Sequence, residues 1–217
     1  AACRGRVDAD LLRFGKPFFV REPGVAIKLY PCAGVLHPTL DLTLNLRAKH
    51  SIDPKNIDRI RVGLDTNAAL PLVYENPLDS LQAKFSLNFA VAVAIVDGKA
   101  GLKQFTAEWL HDPKVKRLMK RVELVRRPPR KGTQKIGIDT EIEITMKTGV
   151  VHRGKTTIAR GHPKLPPSRA KIEEKLRQCA DGILAPRQIA NFLNDFWTLE
   201  RAPSIAAWLR LLRPSRR

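Results

Sequence analysis

Two segments hold residue types spaced for acid/base and anion chemistry. A β-type run, Ile27-Lys28-Leu29-Tyr30, carries a cation into a turn set by Pro31, followed by Cys32 and Ala33. Next, His37 opens the stretch His37-Pro38-Thr39-Leu40-Asp41. Residues i and i+4 share a helix face. Asp41 can therefore orient the His37 ring and fix its tautomer, as a general acid/base requires. Lys28 and His37 can point at one anion. The same spacing also fits a solvated strand lysine beside a helix-capping histidine with a surface ion pair.

Further along, Lys84 and Ser86 stand at the head of the apolar run Phe89 to Val96. They either donate to an anion at the start of a helix or are plain surface residues. Cys32 has no base fixed beside it and reads as a packed thiol rather than a nucleophile. His50, His111 and His152 read as surface residues, and His162, after Gly161, either borders a cleft or caps a turn. H-E-x-x-H, Cys/His clusters and a glycine-rich phosphate loop are all missing from the sequence. Neither a metal nor a nucleotide cofactor is expected.

Charge is unevenly placed. The 217 residues carry a net charge of +18. Residues 1–98 hold 12 Lys and Arg against 10 Asp and Glu, a balance of +2, and the remainder hold 27 against 11, a balance of +16. Such a balance permits nucleic-acid binding through phosphate neutralisation. The cations from Lys114 to Lys135 nevertheless lack the interleaved aromatics of a single-strand platform. A solvated basic face that also attracts polycarboxylates is the preferred reading, and nucleic acid is not the expected partner. Three cysteines, Cys3, Cys32 and Cys179, form no C-x-x-C and no even framework, which suits a reducing compartment. Apolar runs are too short to span a bilayer, so the expected location is cytoplasmic.

The elements that must position these residues are of α+β type. An extended segment from Phe18 to Tyr30 is interrupted by Pro23-Gly24, which suits a hairpin. A helix from Pro38 to about Lys49 buries Leu36, Leu40 and Leu44. Ile57 to Leu64 alternates as a strand. Leu81, Phe85 and Phe89 lead into a helix buried on all sides and closed by Gly98. A short helix follows from about Leu102 to Leu110. Asp112-Pro113 starts another with Val115, Leu118, Met119 and Val122 inward. Arg126 to Gly137 reads as a loop. Ile138 to Met146, a Lys147-Thr148-Gly149 turn and Val150 to His152 make the clearest hairpin. Ser168, Pro186 and Ser204 start helices running to about Ala180, Glu200 and Leu212.

Taken together, these blocks resemble the MmgE/PrpD family, which includes 2-methylcitrate dehydratases, cis-aconitate decarboxylases and iminodisuccinate epimerases. Lys28-Leu29-Tyr30-Pro31-Cys32 with His37 and Asp41 resembles the K-x-Y-P-C-C-x-x-x-H-x-x-x-D signature. Asn76-Pro77 and Ala83-Lys84-Phe85-Ser86 through Ala92, then Asp112-Pro113-Lys114-Val115, then Arg160-Gly161-His162-Pro163, then Glu174-Lys175-Leu176-Arg177 follow in the family's order. The resemblance spans roughly residues 14 to 212.

The resemblance implies a metal-free lyase or isomerase that removes a proton alpha to a carboxylate of a small di- or tricarboxylate. In that chemistry Lys28 clamps a carboxylate and His37, oriented by Asp41, is the acid/base. Tyr74, shortly before Pro77, matches a position where some members have an active-site tyrosine, and Lys84 and Ser86 become substrate donors. The second cysteine of the signature is Ala33 here, and the tyrosine of F-S-x-x-Y is Phe89. The first departure argues against cis-aconitate decarboxylation, and both leave open an inactive subunit that pairs with a separate helical one; a basic nucleic-acid module is a third possibility. Organisation is expected as a remnant of a preceding helical domain or linker over residues 1–13, a mixed lid domain over 14–164, and terminal helices over 165–217. Because the chain opens on Ala1 rather than Met, it reads as the carboxyl-terminal part of a longer protein. The terminal helices would pack back on the missing all-helical domain, and a homodimer is expected.

Overall fold

The computed structural model describes residues 18, 20–128, 138–202 and 204–213. Pro38 in the first turn, where a missing N–H leaves nothing unpaired, opens helix α1 (His37–His50), which closes on Ser51 in the left-handed region. A 3-10 turn, Pro54–Asn56, then feeds strand β1 (Ile57–Asp65). Short helices α2 (Thr66–Ala69) and α3 (Ser80–Ala83) lead to α4 (Leu87–Asp97), which Gly98 closes at φ +76°. After α5 (Ala107–His111) and α6 (Pro113–Met119), the chain enters β2 (Val122–Arg127) and the hairpin β3 (Thr140–Met146) and β4 (Val151–Thr156). Helices α7 (Arg169–Ala180), α8 (Pro186–Phe196) and α9 (Ile205–Leu209) follow.

The four strands form one mixed sheet in the order β2-β1-β3-β4, parallel between β1 and β2 and antiparallel elsewhere. The fold is α+β. Helices α1 and α4 pack on each other, α1 against β3 and β4, and α4 against β2 and α6. Every residue of α4 from Phe89 to Ile95 is fully buried, as an apolar helix with no polar stripe must be. Ile60, Val62, Leu64, Ile142 and Ile144 complete this core from the sheet. A second, small cluster forms where Leu176, Ala180 and Leu184 meet Ile189 and Leu193 of α8.

Several expectations are corrected. No hairpin forms at Pro23-Gly24: Val20–Gly24 makes a single wide turn, and Ile27 instead donates its N–H to the Gly161 carbonyl at 2.8 Å, a partner far away in sequence. Leu81 and Phe85 do not belong to the buried helix. The chain breaks at Ser86, which is extended and caps α4, so Leu81 and Phe85 stay 65 % and 37 % exposed. The segment after Leu102 is a 3-10 turn, Leu102–Gln104, followed by α5. Val122 is not the last inward position of α6 but the first residue of β2, paired beside Ile60. Arg126 and Arg127, expected in a loop, finish that strand, and the rest of the expected loop at 129–137 lies outside the described residues. Helix α8 stops at Phe196, and α9 ends in a 3-10 turn, Arg210–Leu212. Trp208 of α9 stacks on Phe192 of α8 with ring centroids 4.4 Å apart. Among the described residues no helix is long and apolar enough to cross a membrane.

Candidate active site

The turn Tyr30–Cys32 and the 3-10 turn Gly34–Leu36 deliver the chain into α1 at His37. This entry is pinned by Ala33, whose N–H donates to the Lys84 carbonyl at 2.9 Å. Lys28 curls its ammonium over the turn and donates to the Cys32 carbonyl at 3.0 Å. One N–H suffices for that bond, so the cation keeps donors for a ligand. On the other side Lys175 of α7 donates to the Lys28 carbonyl at 2.6 Å, tying the lysine's backbone to the terminal helices.

His37 is buried, at 5 % exposure, and its ring lies edge-on to Tyr30 with centroids 5.2 Å apart. Burial and then the Lys28 charge push its pKa down to about 4, against opposing pulls from the backbone of Cys32 and Tyr30 and from Asp41. The imidazole is therefore neutral at pH 7. Its Nε2 has no hydrogen-bond partner among the described residues. An orphaned nitrogen on a neutral ring beside an ammonium is suited to taking a proton from a molecule that the ammonium holds. A carboxylate bound to Lys28 would also offset the second cause of the low pKa and strengthen the base.

Asp41 serves a different partner from the expected one. It accepts from the Tyr30 hydroxyl at 2.6 Å and from Arg160 twice, at the backbone N–H and at Nε, both at 2.7 Å. Arg160 Nη2 also donates to the Tyr30 oxygen at 2.8 Å, closing a three-residue network over a carboxylate that is only 6 % exposed. Asp41 thus acts on His37 through space and through Tyr30, not by a direct hydrogen bond. Burial and Asp41 together hold the Tyr30 hydroxyl well above its usual pKa, so it stays protonated and keeps donating.

Next to Arg160, Gly161 has φ +95°, and a Cβ there would meet the Ile27 carbonyl oxygen at 2.1 Å. Only glycine lets the two segments touch. Burial also pushes the Cys32 thiol up to about 12 against the pull of Lys28, leaving it uncharged.

The other candidates are dispersed. Ser86 is fully buried and its Oγ accepts from the Phe89 N–H at 3.1 Å as the cap of α4. Lys84 is half-buried at the end of α3, joined to the His37 entry through its carbonyl. Tyr74 sits on an exposed loop between α2 and α3 at 38 % exposure. Arg160 and Tyr30 were not singled out from the sequence; the signal was present in Arg160-Gly161, a cation beside a glycine. No group of three or more His, Cys, Asp or Glu side chains is placed to hold a metal among the described residues.

A family model, the MmgE/PrpD C-terminal domain, matches residues 30–199, most of the chain, including Tyr30, His37, Asp41 and Arg160, with Lys28 just ahead of the match. The chain belongs to the MmgE/PrpD family. Its curated relatives include the cis-aconitate decarboxylase of Mus musculus, 24 % identical over 202 residues covering 88 % of this chain and 40 % of the relative. The human cis-aconitate decarboxylase is 24 % identical over 137 residues, covering 63 % of this chain and 28 % of the relative. The chain therefore spans well under half the length of these two MmgE/PrpD proteins.

Proposed function

We propose that this chain supplies the Lys28–His37 side of an active site that abstracts a proton alpha to a carboxylate of a small di- or tricarboxylate, as a lyase or isomerase of the MmgE/PrpD family. The observation that carries the proposal is the buried, neutral His37 with its unpartnered Nε2 beside the Lys28 ammonium. Lys28 holds the carboxylate and stabilises the negative charge that spreads onto it as the proton leaves; His37 takes the proton. Tyr30, Asp41 and Arg160 hold the turn that carries both. Tyr74, Lys84 and Ser86 are assigned to the same substrate pocket by the family pattern, Lys84 with the strongest geometric support because its backbone touches Ala33.

In this reading residues 14–164 form a lid, and residues 165–217 return to the all-helical domain that the family resemblance implies. The half-exposed Ile205 and Leu209 of α9 are the surface for that contact. A homodimer in the cytoplasm completes the proposal. Given that both relatives are named cis-aconitate decarboxylases, cis-aconitate heads the substrate panel, while Ala33 at the second signature cysteine favours dehydration or epimerisation over decarboxylation.

A second reading, a subunit that has lost activity, is favoured by Ala33 alone. Phe89 no longer speaks for it, since that ring is fully buried against Phe105 at 5.5 Å and has a packing role. To separate the two, the chain is assayed alone and together with the preceding helical region of a family member. The panel is cis-aconitate, 2-methylcitrate and iminodisuccinate in deuterated water. Deuterium entering the carbon alpha to a carboxylate only in the combined sample supports the enzyme; a stable complex without exchange on any substrate supports the inactive subunit.

A further inference from the structure

The cations of this chain fall into two groups. On the open face of the sheet they are paired: Arg61 with Glu123 at 3.2 Å, Arg153 with Glu143 at 2.9 Å, and both Arg127 and Lys155 with Glu141. Cations of the terminal helices are paired as well, such as Arg169 with Glu173 and Lys171 with Glu174, but around one cavity the pairing is missing among the described residues. A cavity of about 550 Å³ gathers Lys55 from the 3-10 turn before β1, Lys114 and Arg117 from α6, Arg121 just beyond it, and Lys147 from the β3–β4 turn. Asp53 is the one carboxylate on its wall, and it is already engaged, accepting from the Lys55 N–H at 2.9 Å. Lys55, Lys114, Arg117 and Lys147 make no ion pair among the described residues.

This concentration is built into the fold. The Lys147 N–H donates to the Asn56 carbonyl at 2.8 Å, and Arg121 donates to the Ile57 carbonyl, so the hairpin turn and the end of α6 are both fastened to the turn that carries Lys55. Like charges three and four residues apart, as in Lys114, Arg117 and Arg121, work against one another. Unscreened cations around a concave wall raise the local concentration of anions. Guanidinium forks and ammonium point charges both suit phosphate oxygens. The volume suits a small molecule, the walls include apolar surface from Val96 and Leu118, and no aromatic lines it to stack the bases of a strand.

We propose that this cavity is a binding site for a small polyanion carrying two or more phosphate groups. It shares no residue with the Lys28–His37 site, so either assignment can fail without the other.

The test is calorimetric titration of the full chain with inorganic tripolyphosphate at near-physiological salt, with citrate and orthophosphate as comparison anions. Two double variants carry the same change in net charge: Arg117→Glu with Lys147→Glu in the cavity, and Arg201→Glu with Arg210→Glu, exposed near the carboxyl terminus. Saturable one-to-one binding that is weakened at least tenfold by the first pair and within twofold of wild type in the second is the expected result. A nucleoside triphosphate that binds more tightly than tripolyphosphate assigns the apolar wall to an organic portion; equal binding confines recognition to the phosphates, and both agree with the proposal. It is overturned by equal losses in the two pairs, by citrate binding as tightly as tripolyphosphate, by no saturable binding, or by displacement of tripolyphosphate by an RNA oligonucleotide with a much steeper salt dependence.

Discussion

Acid should unfold this chain in a way that belongs to His37. The ring is held at a pKa of about 4 in the folded chain, against an ordinary value of 6.5. Above about 6.5 the imidazole is neutral in both states and the effect vanishes. Below it the unfolded chain takes up a proton that the folded chain refuses, so stability falls as pH drops from about 6.5 to about 4, then levels off. The gap corresponds to about 3 kcal/mol. With a urea slope of about 3 kcal/mol per molar for a chain of this size, the midpoint should move by about 1 M over that window.

The assay is urea unfolding across the window for wild type and His37→Gln. Carboxylates such as Glu141, held low by Lys155 and Arg127, titrate in both proteins and cancel in the comparison. The wild-type midpoint should fall by about 1 M more than the variant's. Parallel curves would refute both the burial and the charge on which the assignment of a neutral base rests. Lys28→Met, by removing the second cause of the shift, should move the His37 titration back toward neutrality and flatten the difference; an NMR titration of the ring reports it directly.

Other perturbations address the elements around the site. Arg160→Met leaves the buried Asp41 with Tyr30 alone and should cost about 3 kcal/mol, whereas Arg160→Lys should recover part of the stability because the charge remains without the fork; equal losses for both would deny the network its role. Gly161→Ala forces a Cβ onto the Ile27 oxygen in left-handed backbone and should lower thermal stability by more than the roughly 1 kcal/mol of an ordinary surface change; an unchanged melting temperature would contradict the close approach. Ser86→Ala should cost about 1 kcal/mol as a lost helix cap and should also weaken ligand binding, as its place in the proposed substrate pocket requires; lost stability with unchanged binding would confine Ser86 to the cap.

Local signals in the sequence were legible where local physics decides. Pro38 and Gly98 bound their helices as such residues do, and the alternation in Ile57–Asp65 and Thr140–Met146 named its strands. What failed was non-local. Val122 continues the apolar spacing of α6, and only its parallel pairing with β1 makes it a strand. Ile27 finds its hydrogen bond at Gly161, a partner that no window around Pro23-Gly24 contains. The spacing of His37 and Asp41 placed both at the start of α1, where both are buried. It could not reveal that Arg160, more than a hundred residues on, would claim the carboxylate, because that competition is settled by the path of the chain after β4.

The central claim, that His37 moves a proton for a carboxylate held by Lys28, is tested most directly by turnover of the combined helical region and chain carrying His37→Gln at neutral pH, where the wild-type ring is uncharged. Replacing a positioned base should lower kcat by about 10²–10⁴ with little change in melting temperature or KM, while Lys28→Met should act mainly on KM. Turnover of His37→Gln within a few-fold of wild type would contradict the claim.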